Sequence, residues 1–215
     1  MNFETGKRAV YALLTALVLT AALTFALPPL YAAATSVSAR ITAAFAAQGL
    51  FFGIAVLSNN FIGKLKLSGL GYTAKNLKPQ LLWAAAIFLA LTFLFVGIPL
   101  AFGLRDIFPA RDSLAFAVPY CMAVGFAEET LFRGCILNAL LRLKLHKIAA
   151  VAVSSLIFGA WHYIGSGNFA QVPVTTVIGA ALAVPLVYGK KCGLVSVALA
   201  HGAYDALLAA AARIF

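Results

Sequence analysis

Apolar residues fill this chain in seven blocks, roughly 9–30, 42–58, 80–103, 114–141, 147–164, 171–189 and 193–212, with short polar or basic stretches between them. A helix that crosses a bilayer needs about 20 such residues. The second block, of about 17 residues, is short and predicts extension or tilt. The fourth, of about 28, is long and predicts tilt or a stretch outside the lipid. A transmembrane barrel would instead show alternating segments of about ten residues. The pattern therefore predicts an all-α, polytopic transmembrane bundle of about seven spans.

Composition narrows this further. The chain is 63% apolar and 10% charged, against roughly 25% charged in an ordinary soluble domain. A soluble fold of this size has no way to hide so much apolar surface, and disorder needs low hydrophobicity. A basic nucleic-acid binder needs a polar surface that is missing here, so no nucleic-acid partner is expected. The expected surroundings are a lipid bilayer, as a multi-pass protein of a cell membrane of the bacterial inner-membrane kind.

The net charge of +10 is distributed unevenly. Lys7, Arg8, Lys64, Lys66, Lys75, Lys78, Arg142, Lys144, Lys147, Lys190 and Lys191 fall at one set of span ends. Arg40, Arg105, Arg111 and Arg213 fall at the other. Eleven against four places the N-terminus in the cytoplasm and the C-terminus outside. The first span shares features with a signal peptide, but its apolar run is longer than a signal core, and it reads as a retained span whose end Pro28 and Pro29 would kink. Residues 64–78 form a basic, glycine-interrupted loop suited to solvent or anionic headgroups. Arg105, Asp106, Arg111 and Asp112 make a short mixed-charge outer loop. Cys121, Cys135 and Cys192 fit no zinc or redox spacing and read as free thiols. Residues 1–112 are expected to supply N-terminal spans and the basic loop, and 113–215 the catalytic core, within a single membrane domain.

An ionisable group inside a bilayer costs about 2.5–3.5 kcal/mol on insertion scales, so each is a functional candidate. They are Glu128, Glu129 and Arg133 in the fourth span, His162 in the fifth, and His201 and Asp205 in the seventh. Glu129 and Arg133 are four apart and share a helix face, which predicts a supporting ion pair and leaves Glu128 about 100° away. His201 and Asp205 repeat that spacing, as do Phe158 and His162. At 1.5 Å per residue, Glu128 lies about 21 Å, His162 about 22 Å, His201 about 15 Å and Asp205 about 21 Å from the nearest cytoplasmic basic residue of its span. Three helices thus bring acid and imidazole groups to similar depth. Trp161, Tyr163 and Tyr204 flank them and read as interfacial belt residues by preference, or as pocket walls. His146 lies in a basic loop and reads as solvated.

A carboxylate and two imidazoles in a partly dry cavity suit water activation. In one version Glu128 is the general base, His162 helps hold the water, and His201 and Asp205 stabilise the oxyanion. In the other, Glu128, His162 and His201 bind one divalent metal, zinc by preference, which activates the water. Either would hydrolyse a peptide or similar acyl bond. No phosphate loop or dinucleotide fingerprint is present.

Glu128-Glu-Thr-Leu-Phe-Arg133, Phe158-Gly-Ala-Trp-His162 and His201-Gly-Ala-Tyr-Asp205 resemble, in order and spacing, the EExxxR, FxxxH and HxxxN/D motifs of the CAAX protease and bacteriocin-processing enzyme family, also called Abi. The resemblance covers about residues 113–212. It implies an intramembrane endopeptidase of the type II prenyl-protein protease kind, acting on a peptide or protein substrate at or in the membrane, prenylated or bacteriocin-like. It implies that Glu128 and His162 activate water, that His201 and Asp205 complete the site, and that Glu129 and Arg133 support it. Members of that family have been described both as metalloproteases and as metal-independent glutamate proteases. The best-known prenyl-protein members end the third motif in Asn, a hydrogen-bond donor, whereas Asp205 donates only when protonated. Two other classes use the same residue types: a proton-coupled membrane transporter, and a non-catalytic immunity or scaffold membrane protein. No inverted repeat of the transporter kind is visible.

Overall fold

In a computed structural model, residues 3–33, 35–64, 66–103 and 114–211 are described, and among them there is no strand. Helix α1 is Phe3–Ala33. Helix α2, Val37–Leu57, runs on through a π-helical turn at Ser58–Ile62. Helix α3, Leu77–Thr92, continues through a second π turn, Phe93–Gly97, to a last turn at Ile98–Ala101. Helix α4, Leu114–Glu129, passes into an eight-residue π segment, Thr130–Leu137, and ends in Asn138–Arg142. Helices α5, Lys147–Ser166, α6, Gln171–Tyr188, and α7, Leu194–Ala211, follow.

The short second block is extended at both ends. Ser36 caps α2 by accepting from the Ala39 amide at 3.1 Å, and the π turn carries the rod to Ile62, 26 residues in all. Helix α1 runs past Pro28 and Pro29 to Ala33, so the expected kink does not end it. Its Ala9, Ala12 and Ala16 are buried against the bundle. The expected outer loop with Arg105, Asp106, Arg111 and Asp112, and Arg213, lie outside the described residues.

Among the described residues five helices, α1, α2, α3, α5 and α6, are long and apolar enough to cross a membrane, and only 17–33% of each apolar window is buried inside the protein. They turn most of their side chains outward, as lipid contact requires. The remaining two are the most enclosed. Leu131, Phe132, Cys135, Ile136 and Leu137 of α4 are buried, as are Leu194, Val197, Ala198, Ala200 and Tyr204 of α7. A helix shielded by protein need not be uniformly apolar, so α4 and α7 can hold most of the ionisable residues of the cluster, with His162 on the inner side of α5. The chain is a multi-pass membrane protein.

Helix α7 packs on α4 and α3, α5 packs on α6, and α2 flanks α4. The α4–α7 crossing depends on two glycines. A Cβ on Gly125 would lie 2.6 Å from the Gly202 nitrogen and 2.7 Å from the Ala198 carbonyl oxygen. One on Gly202 would lie 2.8 Å from the Met122 Cα. Backbone therefore meets backbone, the approach that small residues permit between membrane helices. The crossing brings the end of α4's α-helical part against the turn that carries His201.

Gly53 in α2 has nothing within 4 Å of a would-be Cβ. Gly125→Val should therefore lower thermal stability in detergent by about 1–3 kcal/mol, the range for overpacking. Gly53→Ala should leave the melting curve unchanged or raise it slightly, and equal losses in both variants would remove the crossing from this account.

Candidate active site

The site is built outward from one buried ion pair. Arg133 NH1 donates to Glu129 Oε1 at 2.8 Å, and both side chains are almost wholly buried. Arg133 NH2 donates to the Gly179 carbonyl of α6 at 2.9 Å. The guanidinium lies 4.4 Å above the Phe158 ring of α5, an attraction strengthened where the cation is desolvated. The expected i,i+4 pair is present. It ties three helices together rather than bracing only its own.

Glu129 Oε1 also meets His201 Nδ1 at 2.9 Å. An ionised carboxylate only accepts, so Nδ1–H donates and the ring is held with Nε2 directed away from Glu129. That Nε2 lies 3.9 Å from Glu128 Oε2 and 3.5 Å from Asp205 Oδ2. His162 is fixed differently. Its Nδ1 donates to the Phe158 carbonyl, one turn earlier in α5, at 2.9 Å. Its Nε2 then stands 4.0 Å from the same Glu128 Oε2. That oxygen is buried and has no hydrogen-bond partner in the protein. Glu128, His162, His201 and Asp205, singled out on three separate spans, therefore converge on one point.

A cavity of about 590 Å³ opens beside this cluster. His162, His201, Tyr204 and Asp205 form its polar wall, and Phe95, Pro99, Val174, Ile178 and Leu208 are among the apolar residues opposite. Asn168, Ala170 and Gln171 lie at its rim, on the connection between α5 and α6. Glu128 lines a second space of about 40 Å³ with Gln48, Phe51, Phe132 and Trp161. Tyr204 lines the large cavity and Trp161 the small one, so both are pocket walls, the second of the two sequence readings, rather than belt residues. Tyr163 is exposed, and so is His146.

Other contributors carry no sequence signal. The Phe158 and Gly179 carbonyls belong to backbone that any residue supplies. Gln171 and Asn168 are common polar residues at a helix connection. Tyr72, in the basic loop, reaches Thr130 at 2.6 Å, and Thr130 donates in turn to the Phe126 carbonyl. Burial pushes the Tyr72 phenol up to about 12, which keeps it a neutral donor.

Glu128, His162 and His201 supply the donor types of a catalytic zinc site. Their facing atoms, 3.9 and 4.0 Å apart, are spaced more widely than the roughly 3.3 Å between neighbouring ligands of a tetrahedral zinc. Among the described residues no group of three or more His, Cys, Asp or Glu is arranged to hold a metal ion. The spacing leaves room for a small molecule that hydrogen-bonds to both sides.

Arg133→Gln would leave Glu129 charged in a dry interior, a loss of about 3–5 kcal/mol for a broken buried pair. The double variant Glu129→Gln, Arg133→Gln should recover part of that loss in a detergent melt. A double variant less stable than Arg133→Gln alone would show that the pair's charge compensation is not what holds these helices.

Residues 110–207 match the family model described as type II CAAX prenyl endopeptidase, Rce1-like. Neither curated proteins nor solved structures gave a match. The matched residues run from the start of α4 to near the end of α7 and include Glu128, Glu129, Arg133, His162, His201 and Asp205. Through this helical core the chain is similar to the type II CAAX prenyl endopeptidase, Rce1-like family.

Proposed function

We propose that this protein is an intramembrane endopeptidase that hydrolyses a peptide bond of a membrane-associated polypeptide, prenylated or bacteriocin-like, with water activated by Glu128 and His162. One observation carries the reading. Glu128 Oε2, buried and without a hydrogen-bond partner, faces Nε2 of both His162 and His201 at 3.9–4.0 Å beside a cavity large enough for a peptide segment. A buried polar atom left unpaired is costly unless it has a role.

Each ring's outer hydrogen bond sets the chemistry. His162, with its proton on Nδ1, offers the Nε2 lone pair as an acceptor. Water bound there and to Glu128 donates one hydrogen to each. Glu128 takes a proton as the water oxygen bonds to the carbonyl carbon, and the C=O electron pair moves onto oxygen. A protonated His201 would donate from both nitrogens, Nδ1–H to Glu129 and Nε2–H to the oxyanion. Asp205, 3.5 Å from His201 Nε2, orients that ring and borders the substrate. When the tetrahedral intermediate collapses, the C–N bond breaks and Glu128 returns its proton to the leaving nitrogen. The products are a carboxylic acid and an amine, and the acid's proton then passes to the amine to leave a carboxylate and an ammonium.

The reaction is carried by these side chains, with Glu128, His162 and His201 as the groups that a zinc would take if one bound. Cleavage is expected to survive exhaustive dialysis against EDTA. Loss of activity that zinc restores would reassign those three residues as ligands.

Glu128→Gln keeps the shape and removes the base. It should lower cleavage of a membrane-anchored peptide by roughly 10²–10⁴-fold, the range for general acid–base catalysis, with an unchanged melting curve. Undiminished cleavage would sink the assignment. Proton flux in liposomes that this variant abolishes would favour the transporter class.

A further inference from the structure

Gln48 is a polar side chain that the proposed reaction does not use. It sits near the middle of the 26-residue rod formed by α2 and its π turn, a depth at which a polar group is costly. A primary amide offers two donors and two acceptor lone pairs. Among the described residues it makes one hydrogen bond, from Nε2 to the Tyr120 hydroxyl at 3.4 Å. Gln48 also lines the small space of about 40 Å³ that Glu128 borders from α4. Phe51, Phe132 and Trp161 wall the same space, with the Trp161 ring edge-to-face with Phe51 at 6.0 Å and Phe132 at 6.1 Å. Among the described residues none lines both this space and the large cavity. Glu128 connects the two. Its Oε2 is closed off and faces His162 and His201, which belong to the large cavity. The side chain is nevertheless 21% exposed, and it borders the small space.

We infer that Gln48 and Glu128 share a bound-water site, and that this site keeps the reacting water supplied while a substrate fills the large cavity. The supply role rests on the proposed protease reading; the water site does not. A buried water needs about 10–15 Å³ and two to four polar partners, so the small space has room for about three. An amide on one wall and a carboxylate on another give such a water a group to meet on each side. The aromatic walls between them offer nothing to a larger polar ligand. Hydrolysis consumes one water for each bond cleaved. A largely apolar peptide segment that enters the large cavity displaces the water beside His162, His201 and Asp205. Water held against Gln48 lies outside that space and stays beside the base. Gln48 thus acts through the water, as a positioning residue.

The test reads the water before it reads catalysis. The full chain in lipid nanodiscs receives an X-ray pulse, which turns bound water into hydroxyl radicals that oxidise the nearest side chains, and oxidation is measured by mass spectrometry. Trp161 and Phe51 should be oxidised in the native chain and several-fold less in Gln48→Leu, with the exposed Tyr163 as an unchanged reference. Gln48→Ile takes its place should Gln48→Leu fail to accumulate. On a series of membrane-anchored peptides the same variant should lower kcat roughly 3–10-fold, the worth of one hydrogen bond. KM and the preferred residue beside the cleaved bond should not change. Tyr120→Phe, which keeps the amide, should match the native chain in both measurements. Equal oxidation in the native chain and Gln48→Leu overturns the water site, and lost oxidation with an unchanged kcat overturns the supply role. A changed residue preference would make the space a substrate subsite, and a Tyr120→Phe that behaves as Gln48→Leu would reduce the amide to a helix contact; either overturns the inference. Failure of the protease reading shows separately, as undiminished cleavage in Glu128→Gln, and the oxidation result then decides the water site by itself.

Discussion

The Glu129–Arg133 pair is the interaction on which the rest of the structure depends. Two opposite charges taken out of water need partners beyond each other, and the partners recruited here belong to the candidate site, although among the described residues Glu129 Oε2 and Arg133 Nε have no hydrogen bond. Glu129 holds His201 on α7. Arg133 holds the Gly179 carbonyl on α6 and covers Phe158 on α5. The carbonyl of that same Phe158 orients His162. One buried pair thus reaches four helices and sets the direction of the His201 ring, while Oε2 of Glu128, its neighbour in sequence, has no hydrogen-bond partner among the described residues.

Backbone geometry makes room for this arrangement. The π segment Thr130–Leu137 begins directly after the two glutamates. Such segments add a residue per turn and recur at functional sites. Here the segment carries Arg133 and the buried run from Leu131 to Leu137 that packs α4 into the centre. The Gly125–Gly202 contact brings α7 close enough for a hydrogen bond between His201 and Glu129. A bundle with ordinary interhelical spacing would hold these side chains too far apart. The enclosing helices meet the lipid, and the ionisable residues lie on α4, α7 and the inner side of α5.

The cavity joins that geometry to function. Its polar wall is the His162, His201 and Asp205 cluster, and most of the remaining lining is apolar. Glu128 stands between this space and the small pocket of Gln48 and Trp161. Its Oε2 is screened from bulk water, which is the setting that the proposed role as base requires.

Much of this was legible in the sequence. Apolar block lengths gave the helical rods, because a bilayer imposes a minimum length that shows in one dimension. Three motifs at helical spacing gave Glu128, Glu129, Arg133, His162, His201 and Asp205, because an ionisable residue in an apolar run is conspicuous. Rod ends were less legible: α2 gains a turn at each end from a serine cap and a π turn that hydropathy does not record. Only the tertiary structure decided which nitrogen of each histidine faces Glu128, because the groups that orient the rings include the Phe158 carbonyl and a carboxylate on another helix. Only it decided that Trp161 and Tyr204 line pockets, because helix rotation comes from packing against neighbours such as Gly125 and Gly202. Sequence determines which groups are too costly to leave in lipid without a role, since that cost belongs to each residue alone. Their directions and distances belong to contacts between helices, and those exist only once the bundle has closed.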